Sequence, residues 1–157
     1  MREIRGNIWL YHSDPRWIIV PTNGSINQKG MCVMGRGLAK QTFQRHPFIA
    51  KALGNKIMLS GNLVFAFPKL RMFSFPVKRH WHDSASLKII HSSCEQVMVL
   101  ADSYDIKGDG QILLPRVGCG NGGLLWRVVE PILDKMLDNR FLVVDFIVPK
   151  QVVQEPW

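Results

Sequence analysis

The chain has 157 residues, 46% of them hydrophobic, with 20 lysines and arginines against 12 acids and a formal charge of +8. That length and apolar content suit one buried core, no apolar run reaches the length of a membrane span, and Met1-Arg2-Glu3-Ile4-Arg5 is not a signal peptide. The basic balance points to an anionic partner, since Lys and Arg raise local anion concentration and gain affinity by releasing phosphate counterions; an enzyme that is merely basic has the same composition. Cys32, Cys94 and Cys119 lack metal-ligand spacing and leave one thiol over if any two pair, so a reducing cytoplasm is the expected setting.

In chain order, residues 4–10 and 17–22 are β-rich runs separated by the turn-like Tyr11-His12-Ser13-Asp14-Pro15. Residues 21–37 form the longest candidate loop, polar and glycine-rich. Residues 38–45 read as a helix stopped near His46-Pro47, and residues 48–53 as a short helix ending at Gly54. Residues 63–67 and 72–77 predict a hairpin turning at Pro68-Lys69-Leu70-Arg71. Ser84 or Ser86 can cap a long helix reaching about Asp102, with Leu87, Ile90, Cys94, Val97 and Met98 on one face. Residues 112–117 form a continuous apolar strand, a helix follows to about Asn139, and residues 141–148 complete the strands. Strands alternating with helices predict an α/β fold, a three-layer α/β/α sandwich around a central mixed sheet. Residues 1–150 are expected to form one domain and residues 151–157 a short tail.

Three segments carry candidate chemistry. Gly118-Cys119-Gly120-Asn121-Gly122-Gly123 lies between a strand and a helix, where glycines let backbone N–H groups approach an anion and a helix N-terminus adds partial positive charge. It is neither a Lys-bearing P-loop nor a dinucleotide fingerprint, and a tight strand-to-helix turn accounts for it equally. Met34-Gly35-Arg36-Gly37-Leu38 is a second glycine loop entering a helix. Two such loops suit a diphosphate better than a single phosphate, with Arg36 facing either ligand or solvent. The third segment, Lys78-Arg79-His80-Trp81-His82, ends a strand with cations, imidazoles and an indole. A solvated strand end with Trp81 packed on the core explains it. Alternatively Lys78, crowded by cations or partly buried, is a neutral amine nucleophile, and Trp81 stacks on a nucleobase. No metal site is expected, because the five histidines give only one close pair, His80 and His82.

Taken together and in this order, Met34-Gly35-Arg36-Gly37-Leu38-Ala39, Phe75-Pro76-Val77-Lys78-Arg79-His80-Trp81 and Gly118-Cys119-Gly120-Asn121-Gly122-Gly123-Leu124 resemble the macro domain. Within it they are most similar to the DarG-type branch, antitoxins that remove ADP-ribose from thymidine bases of DNA. The resemblance covers nearly the whole chain from Gly6-Asn7-Ile8. It implies a cleft for ADP-ribose, with Asn7 and Ile8 near the adenine, Met34, Gly35, Arg36 and Gly37 along the distal ribose and diphosphate, and Gly118, Cys119, Gly120, Asn121, Gly122, Gly123 and Leu124 wrapping the diphosphate from the other side. Asn23 would turn its amide to the ribose. Lys78 falls where the lysine-dependent branch has the amine that attacks the anomeric carbon of the distal ribose. Relatives that release glutamate-linked ADP-ribose carry an aspartate where this chain has Gly122, which turns the expectation from protein towards DNA.

The function expected from the resemblance is therefore an ADP-ribosyl glycohydrolase acting on modified DNA bases without a cofactor. Arg79, His80 and Trp81 would contact the nucleic acid, and a DNA ADP-ribosyltransferase toxin would be the functional counterpart. A monomer is expected. Two other readings of the same motifs are a non-catalytic ADP-ribose-binding module and a phosphatase or deacylase of small ADP-ribose derivatives.

Overall fold

In the computed structural model, which describes residues 1–146, strands β1 (Glu3–Arg5), β2 (Trp17–Thr22), β3 (Phe65–Phe67), β4 (Met72–Pro76), β5 (Ile112–Leu114) and β6 (Phe141–Asp145) form one sheet. Its order is β1-β6-β5-β2-β4-β3. Every neighbouring pair is parallel except β3 and β4, the expected hairpin, so the sheet is mixed. Parallel neighbours need crossover connections, and these place helices on both faces.

Side-chain alternation sorts the strands into two cores. Trp17, Ile19, Phe73, Phe75, Ile112, Leu114, Phe141 and Val143 pack with helices α4 (Leu87–Ser103) and α5 (Trp126–Met136). Ile18, Val20, Met72, Leu113, Leu142 and Val144 face the other way, onto α1 (Ile8–Tyr11), α2 (Gly37–Arg45) and α3 (Ile49–Ser60). Each fully buried isoleucine or phenylalanine in these layers contributes about 1.5–3 kcal/mol of burial. The three-layer α/β/α sandwich is thus present, held together by a sheet that is apolar on both sides.

Four boundaries differ from the sequence expectation by three residues or more. Residues 8–10 are helical rather than extended, because Asn7 ends β1's extension and caps α1, its side chain accepting the Trp9 N–H at 3.0 Å. The helix expected to stop at Gly54 continues to Ser60. Gly54 is a packing glycine: a Cβ there would lie 2.1 Å from the Gly30 carbonyl oxygen, and the chain turns instead at Gly61, with φ +92°. β5 ends at Leu114, just before Pro115, rather than at Val117, and α5 ends at Met136 rather than near Asn139. The expected tail, 151–157, and the end of the last expected strand lie outside the described residues.

Candidate active site

In open sheets with parallel strands, ligands bind beyond the carboxyl ends of the strands, where connecting loops diverge. Here the loops following β2, β4, β5 and β6 enclose a cleft of about 890 Å³, a size suited to a small organic ligand. Thr22 and Asn23 leave β2, Val77 and Lys78 leave β4, Pro115 and Arg116 leave β5, and Val144, Asp145 and Phe146 close β6 beside Asn7 and Ile8.

Two glycine-bearing loops form opposite walls. One contributes Met34, Gly35, Arg36 and Gly37; the other contributes Gly118, Cys119, Gly120, Asn121, Gly122 and Leu124. They approach each other at the rim, where a Cβ on Gly37 would lie 3.4 Å from the Asn121 side-chain nitrogen. Both walls run into helices, α2 and α5, whose N-termini have no side-chain cap among the described residues, whereas α1 and α4 are capped by Asn7 and Ser86. Gly37, Leu38 and Ala39 at the start of α2, and Leu125 and Trp126 at the start of α5, line the cleft. Uncapped N–H groups carrying the positive end of the helix dipole favour an anion there.

The glycines divide by what surrounds them. Gly118 and Gly122 are buried against the start of α4: a Cβ on Gly118 would lie 2.8 Å from Ile90, and one on Gly122 would lie 2.5 Å from the Gly118 carbonyl oxygen and 2.7 Å from Ala85. Gly35 and Gly120 are different. Neither has a left-handed φ, and an added Cβ on either would have no atom of the described residues within 4 Å, so nothing among those residues requires a glycine at these two cleft positions.

Lys78 is half-buried on the cleft floor, its Nζ donating to the Asp83 backbone carbonyl at 3.3 Å. Among the described residues it forms no ion pair. Its backbone is held from behind, where Asn62 Nδ2 donates to the Lys78 carbonyl at 3.1 Å and the Gly24 N–H donates to the Arg79 carbonyl at 2.9 Å. Cys119, the thiol in the cleft, is pushed up in pKa by burial, with Arg116 opposing more weakly, and is a poor thiolate nucleophile. Among the described residues, Lys78 is the one lysine lining the cleft.

No protein-family profile matches the chain. Over 94% of its length it superposes on 97% of the macrodomain of Thermus aquaticus DarG, with a TM-score of 0.71 at 23% identity. The chain has the macro-domain fold. A second similar structure, Thermosipho africanus DarTG in complex with ADP-ribose, gives a TM-score of 0.69 at 21% identity over 87% of this chain and 39% of that one. In sequence, the chain is 32% identical over 75 residues to a DNA ADP-ribosyl transferase–DNA ADP-ribosyl glycohydrolase fusion protein of Thermosipho africanus, covering 48% of this chain and 19% of the relative. It is 25% identical over 148 residues to a DNA ADP-ribosyl glycohydrolase of Thermus aquaticus, covering 88% of this chain and 38% of the relative. The chain therefore spans about a fifth and two-fifths of the lengths of these curated relatives.

Most residues singled out in the sequence meet in the cleft: Asn7, Ile8, Asn23, Met34, Gly35, Arg36, Gly37, Lys78, Trp81, Gly118, Cys119, Gly120, Asn121, Gly122 and Leu124 all line it. Gly123, Arg79 and His80 do not; Gly123 turns the loop, its N–H donating to the Gly120 carbonyl at 3.1 Å with φ +75°. Asn23 is at the cleft, but its amide holds the loop that follows: Nδ2 donates to Val33 O at 3.0 Å and Oδ1 accepts from Ser25 N at 2.9 Å. Trp81 is not packed on the core, the bland alternative for it; it is 52% exposed at the rim.

Other residues of the site carried no sequence signal. Phe146, just past β6, exposes 55% of its surface at the cleft beside Asn7 and Ile8. Arg116 is fixed by a bidentate pair with Glu3 at 2.6 and 2.9 Å, which raises its pKa further, and its guanidinium lies 5.0 Å from the Trp126 ring centre. Glu3 and Arg116 are 113 positions apart, a pairing no local pattern reveals. Phe146 lies just beyond a fully buried strand and reads in sequence as one more core residue.

Proposed function

We propose that this macro domain binds ADP-ribose and hydrolyses it from modified bases in DNA, with Lys78 as the nucleophile. The observation that carries the proposal is the pair Gly35 and Gly120, cleft-lining glycines that no contact among the described residues and no backbone strain requires. A residue without a side chain at such positions serves close approach of the backbone to a ligand. The two uncapped helix ends add positive charge to each side, so a diphosphate is the group this arrangement suits.

The remaining parts of ADP-ribose find chemistry in proportion. The exposed ring of Phe146 offers a stacking face for a purine, with Asn7 and Ile8 beside it. At the other end the Lys78 amine is available to the distal ribose. Its nitrogen attacks the anomeric carbon as the bond from that carbon to the base nitrogen breaks; the amine proton passes to the departing base, and water then releases ADP-ribose and regenerates the lysine. The buried position of Gly122 leaves no room for a carboxylate in the diphosphate wall, so the chemistry rests on Lys78 without help from an acid there. The names of the similar proteins, DNA ADP-ribosyl glycohydrolases and a DarTG complex with ADP-ribose, support the same substrate class. They also support a DNA ADP-ribosyltransferase as the enzyme whose product this one removes.

Incubation with ADP-ribosylated DNA and with ADP-ribosylated protein tests the proposal. Release of ADP-ribose from the DNA is expected, with Lys78→Ala reducing the rate at least about 100-fold and leaving calorimetric affinity for free ADP-ribose within twofold. A Lys78→Ala variant as active as the wild type would remove the lysine mechanism, and tight ADP-ribose binding with no release from any substrate would make the protein a reader.

A further inference from the structure

The rim residues beyond Lys78 form an array that the reading of the cleft does not use. Trp81 projects from the loop after β4, half-exposed and lining the outer cleft. It belongs to neither core cluster. Its ring meets His82 edge-on, centroids 5.3 Å apart at 80°, and His82 in turn stacks on His80, centroids 5.7 Å apart at 11°. One face of the array is therefore built from rings held by rings.

The backbone beneath is fixed rather than loose. Trp81 N donates to Ser25 Oγ at 3.0 Å, His80 N donates to Asp83 Oδ2 at 3.2 Å, Asp83 N donates to the His80 carbonyl at 3.1 Å, and the Arg79 carbonyl accepts from Gly24 at 2.9 Å. A large aromatic surface left open on a pinned loop is pre-organised for a flat partner, because little conformational entropy remains to be lost on binding. Arg79, exposed in the same loop, and a chain charge of +8 favour a partner carrying phosphates.

We propose that Trp81, buttressed by His82 and His80, is a subsite for an unpaired nucleobase next to the modified one, with Arg79 on the adjoining phosphate. The subsite rests on the reading of the cleft as a DNA ADP-ribosyl glycohydrolase site, and gives that reading a strand preference. A base inside a duplex has both faces stacked on its neighbours and none free for the indole, whereas a single strand offers one. Stacking of this kind tolerates any base, so the preference is for strand state and not for sequence.

Two measurements separate this subsite from the chemistry. Anisotropy with an unmodified fluorescent oligothymidylate reads the platform alone: the wild type binds the single strand more tightly than a duplex of equal length, Trp81→Ala weakens single-strand binding roughly 10- to 100-fold, and Trp81→Phe retains most of it. Equal single-strand affinity in Trp81→Ala and the wild type would overturn the subsite, whether or not the protein is an enzyme. Turnover then reads the coupling. On an oligonucleotide bearing one ADP-ribosylated thymidine, Trp81→Ala loses kcat/KM by about 10-fold or more beyond any loss on the lone ADP-ribosylated nucleoside. Equal losses on both substrates would show that Trp81 shapes the cleft instead, and would overturn the subsite. Wild-type protein that releases nothing from either substrate would remove the glycohydrolase reading and leave the anisotropy result to decide the platform.

Discussion

The two glycine walls of the cleft look alike in sequence and differ in what holds them. Gly118 and Gly122 of one wall are clamped against Ala85 and Ile90 at the start of α4, with the Ala85 N–H donating to the Gly122 carbonyl at 2.8 Å and the Leu124 N–H to the Gly118 carbonyl at 3.0 Å. Gly35 of the other wall meets nothing among the described residues, and Gly37 touches only Asn121 across the rim, although its φ of +58° itself favours glycine. One wall is shaped by the protein's own packing, the other by room for something else. A glycine loop is thus two physical devices, a means of packing backbone on backbone and a means of leaving space, and only the structure tells which operates at each position.

Substitution breaks this comparison most sharply at Gly122. Installing the acid of glutamate-directed relatives, Gly122→Asp, places a Cβ 2.5 Å from a backbone oxygen and a carboxylate in a buried turn, so a loss of about 2–4 kcal/mol is expected from overpacking and an unpaired buried charge. Urea unfolding measures it. A Gly122→Asp protein of wild-type stability would mean that this wall is as free as the other. The contrasting change is Gly35→Val, expected to shift stability by no more than about 0.5 kcal/mol while lowering ADP-ribose affinity at least about tenfold, since the side chain fills the space proposed for the diphosphate. Gly120→Ala sharpens the point: it lies in the packed wall, but its own surroundings are open, so it should follow Gly35 and not Gly122.

Sequence patterns carried the sheet and the motifs because both are local. The buried run 17–22 is β2, residue for residue, and Ser86 caps α4 as its position before an apolar stripe implies. Glycine was harder to read. Gly54 resembles a helix stop, yet it lies mid-helix because Gly30 approaches it, a contact set by the fold rather than by any neighbour in sequence. Ile8, Trp9 and Leu10 are as apolar as a strand, and only the Asn7 side-chain bond turns them into a helical turn. In the cleft, Lys78 and both loops were legible as motifs, whereas the supports were not. Glu3 beneath Arg116, Phe146 beside Asn7 and Asn62 behind Lys78 each act across the chain, and a single sequence records no such pairing.

Asn62 provides the smallest and most specific test, because it touches neither wall and meets the site only through the Lys78 backbone. Its Nδ2 donates to the Lys78 carbonyl, while its Oδ1 is buried with no partner among the described residues. These opposing contributions nearly cancel in Asn62→Ala: the lost bond costs about 0.5–1.5 kcal/mol, and relief of an unsatisfied oxygen returns an amount of similar size. Stability should therefore change by less than about 1 kcal/mol. The catalytic consequence does not cancel, since the Lys78 peptide is now held from one side only, by Gly24 through Arg79. A several-fold fall in kcat on ADP-ribosylated DNA is expected, with KM and ADP-ribose affinity unchanged. Asn62→Asp should be worse than alanine, because it replaces the donor by an oxygen facing the Lys78 carbonyl. Equal kcat in all three proteins would show that the lysine needs no support from behind, and that the cleft walls alone set its aim.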